Sequence, residues 1–149
     1  MAVVAAAIVV VVLVGLIAGG ILVLPAHTTA PVTISYVDLE IKQGNTSAGV
    51  PWLGRGFINY SEAEGFPLQV APGGTFSIVW ENIINLDDVP HTIYKVTPNP
   101  PFTIASTVPP LPDTIAVAGE GNLGIYVGVP STPGATYAVT LVVDAQNPS

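Results

Sequence analysis

Two hydrophobic periods divide the chain. From Ala2 to Leu24 it reads AVVAAAIVVVVLVGLIAGGILVL, without one charged or hydrogen-bonding side chain, and about 20 such residues in a helix span the hydrocarbon of a bilayer. Valine is a poor helix former in water, but lipid offers no partner to an unpaired amide, so the segment is expected to be helical there. Pro25 ends it. A cleavable signal peptide fits less well than a retained hydrophobic helix over residues 1–25: the basic leading region is missing, and the run exceeds the usual apolar stretch of about 7–15 residues. Gly15, Gly19 and the adjacent Gly20 form a small-xxx-small pattern. It either seats a second helix at close range or reflects the general frequency of glycine in membrane helices.

After a short linker over 26–30, the period becomes two. Val32, Ile34 and Tyr36 alternate, then the phase slips to Val37, Leu39 and Ile41, which predicts a bulge or a strand that changes sheets. Further alternations run through Phe76, Ile78 and Trp80, through Leu123 to Val129, and through Tyr137 to Val143. Shorter candidates lie at 57–60, 91–96, 102–105 and 114–117. Turn signals such as Ala-Pro-Gly-Gly at 71–74 and Pro-Pro-Leu-Pro at 109–112 separate them. The expected fold is therefore mainly β: an N-terminal hydrophobic α-helix followed, over residues 31–149, by an immunoglobulin-like β-sandwich of seven or eight strands, though without the Cys, Trp, Cys pattern of true immunoglobulin domains.

Composition narrows the function. Only 9% of residues are charged while 50% are hydrophobic, which favours an embedded or assembled protein. Ten carboxylates face three basic residues, Lys42, Arg55 and Lys95, for a net charge of -7; no basic stripe exists to neutralise phosphates, so nucleic acid is excluded as a partner. With zero cysteines the chain has no disulfide framework, thiolate metal site or Cys nucleophile.

Candidate chemistry is sparse. Asp87, Asp88 and His91 form the one ligand-like group, and a transition-metal site usually needs three or four converging ligands; the group reads as the cap of a turn before a strand. A cupredoxin-like sandwich with type 1 copper is excluded by the missing thiolate. No nucleophile elbow appears, and the carboxylate pair Glu62 and Glu64 lies in a Gly-rich segment that reads as solvated. Neither a catalytic residue, a metal nor a cofactor is expected. Two sequons stand out, Asn45-Thr46-Ser47 and Asn59-Tyr60-Ser61; they are either N-glycan acceptors or chance tripeptides.

A chain that starts at the charge-free helix Met1 to Leu24 and runs into a charge-poor Thr/Val/Pro/Gly-rich β domain resembles archaeal type IV pilins and the related archaeal flagellins. Position 5 is Ala5, where bacterial pilins carry glutamate and archaeal members commonly do not. The resemblance implies a structural, non-enzymatic subunit of a cell-surface filament, anchored in the membrane before assembly, whose partners are copies of itself. It also implies that Met1 is the first residue after leader removal, and that Asn45 and Asn59 carry glycans outward. The competing reading is a single-pass accessory subunit of a membrane complex with an extracytoplasmic sandwich. A third is a surface-layer or adhesin module that adds a strand to a neighbour's edge.

Overall fold

The computed structural model describes residues 29–46, 48, 49, 52–54, 57–60 and 65–146. Eleven strands carry them: β1 (Val32–Gln43), β2 (Leu53–Gly54), β3 (Phe57–Tyr60), β4 (Leu68–Val70), β5 (Thr75–Asn85), β6 (His91–Ile93), β7 (Lys95–Pro98), β8 (Thr103–Val108), β9 (Asp113–Ile115), β10 (Glu120–Gly128) and β11 (Thr136–Ala145). They form a first sheet in the order β4-β1-β11-β7, a second in the order β2-β5-β10-β8 with β3 also on β5, and a small third sheet of β6 and β9.

This corrects the expected fold. The described residues hold no helix and eleven strands rather than seven or eight, and β1 runs parallel to β11 from Thr33 opposite Thr136 to Gln43 opposite Ala145. The helix assigned to 1–25, with Gly15, Gly19 and Gly20, lies outside the described residues; among those described, no helix is long and apolar enough to cross a membrane. The strand count differs because β2 and β4 have only two or three residues each, too few to display a period of two. The run at 91–96 also splits: β6 pairs with β9 while β7 pairs with β11, and between them the Tyr94 amide donates to the Asp144 carbonyl at 2.8 Å.

The two large sheets share one hydrophobic core. Val32, Ile34, Val139, Leu141 and Val143 enter it from the first sheet, and Phe76, Ile78, Trp80, Leu123, Ile125 and Val127 from the second. Two bulges set which residues point inward. On β1 the register shifts between Ile34 and Tyr36, with the Ser35 hydroxyl donating to the Tyr137 carbonyl at 2.9 Å, and this extra residue turns Val37, Leu39 and Ile41 toward the core.

On β5, Glu81 and Asn82 stand against Asn122 alone. Asn82 takes φ 56°, a left-handed conformation that asparagine tolerates better than most residues, and its amide donates to Asn122 Oδ1 at 2.9 Å. The buried parity therefore moves from Phe76, Ile78 and Trp80 to Ile83 and Asn85. Replacing Asn82 by valine should lower the unfolding free energy by about 1–2 kcal/mol through the left-handed backbone, while glycine should leave it nearly unchanged. Urea denaturation of both variants checks this, and equal losses would contradict it.

Candidate functional site

The bulge at Asn82 leads directly to the described domain's buried polar cluster. Asn85, the last residue of β5, faces inward and is 2% exposed. Its amide nitrogen donates to the carbonyls of Val89 at 2.8 Å, Ile115 at 3.2 Å and Ala116 at 3.2 Å, and its own backbone amide donates to Gly119 at 3.1 Å. One side chain thus ties the β5–β6 loop to the turn between β9 and β10. Its Oδ1 accepts from the Asp87 amide at 2.8 Å, which starts the turn that delivers His91 to β6.

His91 is fully enclosed. Its ring lies flat on the indole of Trp52, centroids 4.3 Å apart and planes within 8°, and Nε2 stands 2.6 Å from Asp87 Oδ2. Trp52 is pinned in turn: its indole N–H donates to the Ala145 carbonyl at 3.0 Å, and its carbonyl accepts from the Leu86 amide at 2.7 Å. The hydrogen bond from His91 holds the Asp87 carboxyl below the usual carboxylate range; burial opposes that shift and the Asp88 amide assists it. The ring, the indole and the carboxylate pack together inside the fold, an arrangement that ties the segment before β2 to the β5–β6 turn and the start of β6 rather than presenting a group to solvent.

The structure thus brings together two members of the Asp87, Asp88, His91 group. Asp88 is exposed and its amide donates to Asp87 Oδ1 at 2.9 Å, so the cluster caps the turn before β6. Among the described residues, no group of three His, Cys, Asp or Glu side chains converges as metal ligands. Asn45 is exposed just past the end of β1, and Asn59 lies in β3 opposite Val79; Glu62, Glu64 and His27 fall outside the described residues. Sequence reasoning missed Trp52 and Asn85. The available signal for Asn85 was an asparagine directly ahead of a Leu-Asp-Asp turn, where such side chains bond neighbouring backbone.

A shallow depression of about 360 Å³ opens on the outer face of the first sheet, lined by Lys42, Lys95, Thr97, Asn99, Thr140 and Asp144 among others. Lys42, Asp144 and Lys95 sit opposite one another across β1, β11 and β7, so that row largely offsets its own charge.

Compared with known proteins, the chain matches no family model, no curated protein and no solved structure.

Because the Asp87 value is lowered in the fold, its contribution to stability is present above the ordinary carboxylate range and is lost as pH falls through the folded value. The melting temperature should therefore drop below about pH 4. Asp87→Asn should start lower at pH 7 and decline less steeply in acid; superimposable acid limbs for the two proteins would overturn this role for Asp87.

Proposed function

We propose that the chain is a non-enzymatic structural subunit of an extracellular, pilin-like filament, anchored in the membrane before assembly and polymerising with copies of itself through its apolar N-terminal segment. One observation carries this reading: the run from Ala2 to Leu24 holds no charged or hydrogen-bonding side chain and is separated from the first strand only by residues 25–31. Burying a large aliphatic side chain is worth about 1.5–3 kcal/mol. A segment rich in such side chains leaves water strongly, and outside lipid it finds equivalent shelter only against other copies.

The β domain supports this reading through its interior chemistry. Its buried histidine and aspartate are spent on each other, and its charge-poor surface suits close packing beside like neighbours. The two readings predict different recoveries. A filament subunit is found in thin fibres sheared from cells, with a processed N-terminus by mass spectrometry; an accessory subunit is recovered from detergent-solubilised membranes beside larger multi-span proteins.

Val10→Asp should abolish filaments seen by negative-stain electron microscopy while the β domain keeps its cooperative thermal transition. Fibres that persist with an aspartate in the middle of the apolar run would overturn the assembly mechanism.

A further inference from the structure

Seven large hydrophobic residues are exposed among the described ones, and four of them, Ile84, Leu86, Val89 and Val117, sit at the end of β5 and on the two loops that Asn85 joins. Leu86 is the most exposed of the seven, at 63%. Apolar side chains gathered at one place on a surface mark a contact site more often than the same residues scattered singly. This tip is also braced. The Leu86 amide donates to the Trp52 carbonyl, the Val89 carbonyl accepts from Asn85, and Asp87 between them is held by His91. In the neighbouring turn Ala118 takes φ 51°, a left-handed conformation unfavourable for alanine. A buried histidine, tryptophan and asparagine thus steady a loop whose apolar side chains face outward, and a steadied loop loses little conformational entropy when it docks. Asp88 is exposed on the same tip, between Leu86 and Val89.

The complement lies on the outer face of the first sheet. Its depression of about 360 Å³ is lined by Lys42 and Lys95, two of the three basic residues in a chain of net charge -7, and the apolar Pro98 and Val142 share the lining. Asp144 stands between the two lysines in the strand register. Even so, among the described residues neither ammonium comes within ion-pair distance of a carboxylate, the one such pair being Asp87 with His91. Asp38 and Glu40 lie further along β1, outside the lining.

We propose that the β5–β6 tip of one copy docks into the Lys42–Lys95 hollow of a second copy, with Leu86 and Val89 against Pro98 and Val142 and the Asp88 carboxylate between the two ammonium groups. The inference rests on the reading that copies of this chain assemble with one another, and it names a contact between their β domains. Charge selects the pairing, because a tip-to-tip contact would set Asp88 against Asp88, whereas the hollow meets it with the opposite sign. A tip that meets a different patch on its neighbour makes a heterologous contact, which repeats from copy to copy into a ring or a helix. The tip and both lysines lie toward the pole where β1 and β11 end, while the chain enters β1 at the other pole. Docked neighbours therefore stand side by side with their N-terminal ends together.

The chain has no cysteine, so introduced thiols report the contact without interference. Two full-length chains in detergent, one carrying Leu86→Cys and the other Thr97→Cys in the lining of the hollow, should cross-link through a short bis-maleimide when mixed, and neither should cross-link with itself. Asp88→Lys in the first chain should cut the yield about fivefold. Lys42→Glu with Lys95→Glu in the second should do the same, and mixing the two charge-reversed chains should restore it; a retained cooperative melting transition in each shows that the fold is intact. No cross-link in the mixture, equal cross-linking within either single preparation, or a yield indifferent to charge reversal overturns the proposal. Filaments sheared from cells that lack the tip-to-hollow cross-link would sink this contact and leave assembly through the N-terminal segment standing. Cross-links in detergent from a chain that forms no filaments in cells would support the contact and sink the filament reading.

Discussion

The parallel pairing of β1 with β11 is the constraint on which the rest of the domain depends. It joins the first and last described strands along nearly their whole length, from Thr33 opposite Thr136 to Gln43 opposite Ala145, and makes them the two inner strands of the first sheet. Because the strands run in the same direction, both end at the same pole. The Ala145 carbonyl is thereby positioned to receive the Trp52 indole, and Gln43, through its side-chain oxygen, to receive the Leu53 amide at 3.2 Å. Parallel neighbours need long crossovers; here all of β2 to β10 forms the crossover, so the second sheet folds across the first and one shared core follows.

Within that frame, single extra residues decide what the interior contains. The bulge before Tyr36 keeps the aliphatic row of β1 on the core side after its phase slip. The bulge at Asn82 turns Ile83 and Asn85 inward, and Asn85 then distributes its hydrogen bonds over two loops. A buried amide without partners costs about 1–3 kcal/mol, and Asn85 avoids that penalty by meeting loop carbonyls, while Asp87 meets His91 and His91 lies on Trp52. The cluster is therefore best understood as the lock that holds the pole where β1, β5 and β11 end.

The two outer faces differ in kind. The first sheet sets Lys42, Asp144 and Lys95 in one row with Asp38 and Glu40 exposed on the same strand as Lys42, a mixed-charge surface suited to water or to a polar neighbour. The second sheet is uncharged around Tyr126 and small where Gly124 and Gly128 stand. A chain of net charge -7 has few places where another uncharged surface can approach without meeting carboxylates, and this face is one.

The sequence alone determined the local features. Alternating residues marked the long strands β1, β5, β10 and β11, the slip from Tyr36 to Val37 marked the bulge, and the Asp-Asp-Val-Pro-His run marked a capped turn; each depends on neighbours a few residues apart. It misjudged the architecture in strand number, because a two-residue strand such as β2 has no period to read and its pairing is decided by distant chain. The Trp52 indole and the Ala145 carbonyl are 93 positions apart, and no local signal announces that they meet. Periodicity reports which side of a strand is apolar; which strands lie side by side is settled only when the whole core is buried at once.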